Sequence, residues 1–75
     1  MDKVLQEFLE DLFEENIEKI SSVENFHDLD AWDSLLYVNL VMGLQKKLSI
    51  SLSKEEISKL TSLNGILNVL KEKNI

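Results

Sequence analysis

The sequence predicts an all-α fold, a small four-helix bundle with three main helices, one short helix and a long loop between the first two. Apolar residues recur at three- and four-residue steps, and capping residues precede several of these segments. No segment alternates apolar and polar residues for long enough to form a strand. The 75 residues contain no repeat and no linker-like stretch, so we expect a single domain over residues 1–75.

The first helix is expected over residues 4–20, after Asp2 as N-cap. Six acidic residues occupy the positions between its apolar side chains, which gives an amphipathic helix with an acidic outer face. The apolar stripe consists of Val4, Leu5, Phe8, Leu9, Leu12, Phe13, Ile17 and Ile20.

A long loop is expected over residues 21–33, because this segment has no clean period. Long loops inside compact domains are uncommon and often functional, so the end of this loop is the first place to look for a site. Apolar side chains within the loop should attach it to the core: Val23, Phe26, Leu29 and Trp32.

The second helix should begin at Asp33–Ser34 and end near Leu48, with more apolar surface than one packed face requires. The stripe expected to face the core consists of Tyr37, Leu40, Val41, Leu44 and Leu48, and a neighbouring stripe consists of Leu35, Val38 and Met42. The other side carries Leu36, Asn39, Gly43, Lys46 and Lys47.

Two further helices complete the predicted bundle. Ser53 and Glu56 have the spacing of a capping box, ahead of a short helix with Ile57 and Leu60 facing inward. Thr61–Ser62 then offers an N-cap for the last helix, whose apolar residues are Leu63, Ile66, Leu67 and Leu70.

The composition excludes several function classes. Fourteen acidic residues against eight lysines give a net charge of −6, which argues against binding a nucleic-acid backbone. The absence of cysteine excludes disulfides, thiolate metal sites and thiol catalysis. No apolar run approaches the roughly 20 residues that span a bilayer, and the acidic start is unlike a signal peptide, so we expect a cytoplasmic protein.

No group of residues forms a credible catalytic or metal site. Asp28 and Asp30 resemble the start of a calcium loop, but the glycine position holds Asp33 and the twelfth position holds Asn39. His27 is the one histidine, and it has no second imidazole at ligand spacing. An exposed or locally hydrogen-bonded His27 is therefore the expectation. Ser34, His27 and Asp33 do not form a catalytic triad merely because they are close in the sequence. We therefore expect no catalytic residue, no metal and no enzyme activity.

The segment from Leu29 to Leu35, with the sequence LDAWDSL, resembles the acyl carrier proteins. Their hallmark is D-S-L at the start of the second helix, after a long loop. The likeness extends over the whole chain, from the first helix through Phe26 to the short helix after Ser53 and the Thr61–Leu63 start of the last helix.

This resemblance implies that a phosphopantetheinyl transferase attaches 4′-phosphopantetheine from coenzyme A to Ser34. The thiol of the group would then carry acyl intermediates as thioesters between enzymes, and the protein itself would be a non-catalytic carrier. A serine at the first turn suits a phosphodiester, because the helix dipole and unpaired backbone N–H groups favour negative charge there. Simple N-capping by Asp33–Ser34 is compatible with modification of Ser34.

Two alternatives remain open at this point. An aminoacyl or peptidyl carrier would use the same serine and the same prosthetic group with a different cargo. An unmodified helical interaction module would keep the fold without the arm.

Departures from the usual pattern bear on the partners. The second helix has no acidic residue between Ser34 and Leu48, and Ala31–Trp32 stand where a glycine is common. The W-D-S-L variant looks more like stand-alone carriers of polyketide, peptide or modified-lipid assembly than like those of primary fatty-acid synthesis. We expect a monomer that meets acyl-activating, ketosynthase or acyltransferase-type enzymes.

The docking surface beside the arm would comprise Asp33, Leu35, Leu36, Asn39, Met42 and Lys46, with Lys47 at its flank. Leu36 is the residue favoured as an exposed contact, whereas Leu35 and Met42 have packing in the bundle as an equal alternative. The candidates for an acyl pocket are Val38, Val41, Leu44, Ile57 and Leu60, each of which also suits the core.

The net charge is unevenly divided along the chain. Residues 1–33 hold eleven acidic residues and two lysines, and residues 34–75 hold three acidic residues and six lysines. Partners steered by charge should therefore sense the first helix and the loop, with a less polar contact near Ser34.

Overall fold

The computed structural model describes residues 2–74, which contain helices and no strand. The all-α prediction is confirmed. The helices are α1 (Lys3–Phe13), α2 (Ile17–Ser22), α3 (Ser34–Leu48), α4 (Lys54–Ser58) and α5 (Leu63–Glu72), with one 3₁₀ turn (Phe26–Asp28). Of the described helices, none is long and apolar enough to cross a membrane.

The predicted first helix is in fact two helices, so its expected course over residues 4–20 is wrong. α1 ends at Phe13, and Glu14 takes a left-handed conformation with φ 54°. Asn16 begins α2, and its side-chain oxygen accepts from the backbone N–H of Lys19 at 2.9 Å. The apolar period gave no sign of this break, because Phe13 and Ile20 on either side of it are both buried in the same core.

The loop after α2 is attached to the core by its own side chains, as predicted. Phe26 is fully buried and Leu29 nearly so. The Phe26 ring lies 4.8 Å from the ring of Phe13, and its backbone N–H donates to the carbonyl of Thr61 at 2.7 Å. The loop is therefore held against both α1 and the segment before α5. These contacts also determine the position of the start of α3, which follows the loop.

α3 packs against α1 and supplies the fully buried Leu40 and Leu44. Gly43 allows the close approach of the two helices, because a Cβ at this position would lie 2.7 Å from the ring of Phe8. The buried core as a whole consists of Leu5, Leu9, Phe13, Ile20, Phe26, Leu29, Leu40, Leu44, Leu60, Leu63, Ile66, Val69 and Leu70.

Polar contacts hold α4, which has no buried residue of its own. The predicted capping box is confirmed: Ser53 Oγ accepts from Glu56 N at 3.1 Å, and Glu56 Oε1 accepts from Ser53 N at 2.8 Å. Lys73, at the end of α5, places its Nζ 3.1 Å from the same Glu56 oxygen. Glu56 thus joins the start of α4 to the end of α5.

Acid should weaken this junction. The hydrogen bond from the Ser53 backbone and the neighbouring Lys73 ammonium hold the pKa of Glu56 below its ordinary value of 4.5. A carboxyl whose pKa is lowered by folding stabilises the fold above the unfolded-state pKa and loses that contribution as the pH falls through the folded-state value. We expect the stability difference between wild type and Glu56→Gln to be constant near neutral pH, to decrease as the pH falls below about 4.5, and to be lost below the folded-state pKa.

Urea unfolding from pH 7 to pH 3 measures this difference. Glu55→Gln is the matched control, because it removes the same charge from an exposed neighbour outside the capping box. A Glu56→Gln difference that stays the same across the whole pH range would contradict the expectation.

Candidate functional site

Ser34 is the first residue of α3, and its side chain is exposed. Asp33 is the N-cap, and its Oδ1 accepts from the backbone N–H of Leu36 at 2.7 Å. The cap therefore does not depend on the Ser34 hydroxyl. The helix dipole favours negative charge at this N-terminus. The Asp33 cap already places one carboxylate there, and the first turn of this 15-residue helix adds no further acidic residue. An exposed hydroxyl in this setting fits a phosphodiester.

An aromatic cluster holds the backbone on the loop side of Ser34. The partly buried Trp32 ring stacks on Phe13 at 6.3 Å, and lies 5.8 Å from Phe26 and 5.6 Å from Tyr37. The Trp32 backbone N–H also donates to the carbonyl of Leu29 at 3.1 Å. The residue two positions before Ser34 is thus packed on the core, while Ser34 itself faces outward.

The candidate docking residues divide differently from the prediction. Leu35 is 68% exposed, Met42 is 64% exposed and Val38 is 48% exposed, so these three form an apolar stripe on the surface of α3. Asn39 and Lys46 are also exposed, as is Asp33.

The expectation that Leu36 is the exposed contact is wrong. Leu36 is partly buried and packs against the core. It lies four residues before Leu40 and eight before Leu44, so these leucines follow one side of the helix. This four-residue spacing was the sequence signal that indicated burial of Leu36, and the prediction that placed Leu36 on the outer side of α3 did not use it.

Three of the five acyl-pocket candidates come together in an apolar cleft of about 220 Å³ beside α3 and α4. Val38, Val41 and Ile57 line this cleft, together with Tyr37 and Met42, which the sequence had not indicated for it. Leu44 and Leu60 are fully buried core residues and do not line it. The Tyr37 hydroxyl donates to the carbonyl of Ile57 at 2.9 Å and so ties α4 to α3 at this cleft.

A second cleft, of about 330 Å³, lies next to Ser34 between the end of α1 and the start of α3. Both chain neighbours of Ser34 line it. So do Glu14, which carries a carboxylate at the end of α1, and Asn39, which carries a carboxamide on α3. Its lining residues are Leu12, Glu14, Ala31, Asp33, Leu35, Leu36 and Asn39. No sequence pattern had indicated this cleft.

His27 lies away from these clefts, in the 3₁₀ turn. Its Nε2 is 3.7 Å from Oδ1 of Asp28, and both side chains are more than half exposed. Within residues 2–74, no group of histidine, aspartate and glutamate side chains is placed to hold a metal ion.

The family comparison agrees with this geometry. A family model described as "Phosphopantetheine attachment site" matches residues 3–70, from the start of α1 into the last helix. No match was found among the curated proteins or among the solved structures. Because the family match covers nearly all of the 75 residues, this chain belongs to the acyl carrier family, whose members carry covalently attached 4′-phosphopantetheine.

Proposed function

We propose that this protein is an acyl carrier protein in which Ser34 bears the phosphopantetheine arm. One observation above all supports this site. Ser34 is the serine of the D-S-L motif and the exposed first residue of α3, and the N-cap of the helix is Asp33 and not Ser34. The hydroxyl is therefore accessible to a second enzyme without disturbance of the helix start.

The attachment reaction is a phosphoryl transfer to the Ser34 hydroxyl. Ser34 Oγ forms a bond to the phosphorus that bears pantetheine in coenzyme A, the pyrophosphate P–O bond breaks, and adenosine 3′,5′-bisphosphate leaves. The hydroxyl proton passes to a base of the transferase. When bound, the group supplies a thiol that holds an acyl chain as a thioester. The chain contains no cysteine, so no protein thiol competes for the acyl group.

Partner enzymes would contact the apolar stripe of Leu35, Val38 and Met42, with Asp33 and Asn39 at the start of the same helix. α3 has no acidic residue, and the exposed Lys46 and Lys47 stand near its end. Basic patches on a partner would find no complement on this helix. These features support a carrier of a specialised assembly pathway over a carrier of primary fatty-acid synthesis.

The apolar cleft lined by Val38, Val41 and Ile57 is the proposed shelter for acyl cargo. Its volume of about 220 Å³ lies below the roughly 300–1,000 Å³ of typical small-molecule sites. Such a cleft suits a short chain or the first carbons of a longer one. Leu44 and Leu60 do not line this cleft and would contribute to it only through the packing of the core.

The test is incubation with coenzyme A and a broad-specificity phosphopantetheinyl transferase, followed by intact mass spectrometry. We expect the mass of one phosphopantetheine group to be added. No added mass would overturn the carrier proposal and favour an unmodified interaction module. The modified protein is then offered to acyl-activating and to amino-acid-activating enzymes. Loading by acyl-activating enzymes supports the acyl carrier, and loading by the amino-acid-activating class alone would replace it with an aminoacyl carrier.

A further inference from the structure

We propose that the neutral part of the phosphopantetheine arm folds back into the cleft of Leu12, Glu14, Ala31, Asp33, Leu35, Leu36 and Asn39, here called the arm cleft. The inference rests on the proposed function, since it requires the arm on Ser34. It assigns a resting place for the unloaded arm on the α1 side of α3.

The arm cleft lies beside Ser34 in the sequence and on the surface. Asp33 and Leu35, the two chain neighbours of Ser34, both line it. Its volume of about 330 Å³ lies at the lower end of the roughly 300–1,000 Å³ range of small-molecule sites. The arm would enter it without crossing any other part of the surface.

The chemistry of the lining matches the arm, which alternates amide groups with short apolar segments. Leu12, Leu35 and Leu36 offer apolar surface for those segments. The Asn39 carboxamide both donates and accepts hydrogen bonds, and the carboxylates of Glu14 and Asp33 accept from amide N–H groups.

The apolar cleft between α3 and α4 is a poor match for the same arm. Val38, Val41 and Met42 have no hydrogen-bonding side chain, and the Tyr37 hydroxyl already donates to the carbonyl of Ile57. An amide buried there without a partner would carry a desolvation cost. The unloaded arm is therefore expected in the arm cleft. A loaded arm would leave this cleft for its acyl chain to reach the apolar cleft, because the chain is bonded to the terminal thiol of the arm.

Charge determines which part of the arm enters the arm cleft. The carboxylates of Glu14 and Asp33 repel a phosphodiester, whereas the dipole at the start of α3 favours one outside the cleft. The phosphate would then stay at the start of the helix in solvent. Only the neutral pantetheine portion would lie in the cleft.

Covalent attachment makes even a weak site effective. A short flexible tether gives an effective concentration on the order of millimolar. A cleft whose intrinsic dissociation constant is also about millimolar would be occupied about half of the time. Such occupancy shields the arm between encounters and still releases it readily to a partner enzyme.

The test compares unmodified and fully modified protein by NMR, with intact mass measured on the same sample. We expect amide shift changes at Leu12, Glu14 and Asn39, and nuclear Overhauser effects between the geminal methyl groups of the arm and the Leu12 and Leu36 methyl groups. Changes confined to the two or three residues around Ser34 would overturn the inference, as would Overhauser effects to Val41 or Ile57 in their place.

A matched pair of variants makes the test specific. Asn39→Ala should reduce the Overhauser intensities to Leu12 by about half or more, because the cleft loses its one amide side chain. Asn68→Ala, at an exposed asparagine of α5, should leave them unchanged. Equal effects of the two variants would overturn the inference. Added mass without these Overhauser effects refutes the arm cleft alone, whereas absence of added mass refutes the proposed function as well.

Discussion

Replacement of Ser34 by alanine should abolish phosphopantetheine attachment completely while the free energy of unfolding changes by less than about 0.5 kcal/mol. In the proposed reaction the Ser34 hydroxyl oxygen is the nucleophile, and alanine has no hydroxyl. The fold tolerates the change because Asp33, not Ser34, caps α3 through the backbone N–H of Leu36. Alanine is also a strong helix former at an exposed position.

Two control variants separate attachment from stability. Ser51→Ala removes an exposed serine between α3 and α4 and should be modified as fully as wild type. Asp33→Ala retains the Ser34 hydroxyl but loses the cap, at a cost of about 0.5–2 kcal/mol. Intact mass and urea unfolding measure the two effects. Added mass on Ser34→Ala would show that a different residue is the attachment site.

Replacement of Phe26 by alanine should destabilise the protein by about 3–5 kcal/mol, the usual cost of emptying a buried phenylalanine site. Domains are stable by about 0.05–0.15 kcal/mol per residue, so a chain of this length has only about 4–11 kcal/mol in total. Phe26 is fully buried, and its ring contacts those of Phe13 and Trp32. The variant loses the anchor that positions the loop before Ser34.

Thermal and urea unfolding followed by circular dichroism check this expectation. Phe26→Leu keeps most of the apolar volume and should lose less stability than the alanine variant. Phe8→Ala is the control for a phenylalanine that is only partly buried, on α1. Equal and small losses for Phe26→Ala and Phe8→Ala would show that the loop is not anchored as described.

The sequence was sufficient where a few neighbouring residues decide the structure. The start of α3 at Ser34, the capping box of Ser53 and Glu56, and the cap at Ser62 each depend on residues within three positions of one another. The anchoring of the loop through Phe26 was also predictable, because a large apolar side chain in a polar segment has few other favourable positions. The same local motif identified Ser34 as the candidate attachment site.

Contacts between residues that are far apart in the sequence could not be predicted from such local patterns. The break at Glu14 leaves the apolar period intact, and so the period does not reveal it. The hydrogen bond from Tyr37 to Ile57 joins residues twenty positions apart, and both clefts depend on the angle at which their helices meet.

The pairing of Trp32 with Tyr37 has a practical consequence. They are the one tryptophan and the one tyrosine of the chain, and they precede and follow Ser34 in the sequence. Their ring centroids lie 5.6 Å apart. Excitation absorbed by the phenol at this separation passes to the indole, so the folded protein should emit as tryptophan whichever ring absorbs the light. Recovery of phenol fluorescence would then report separation of the loop from α3, without a label and next to the proposed attachment site.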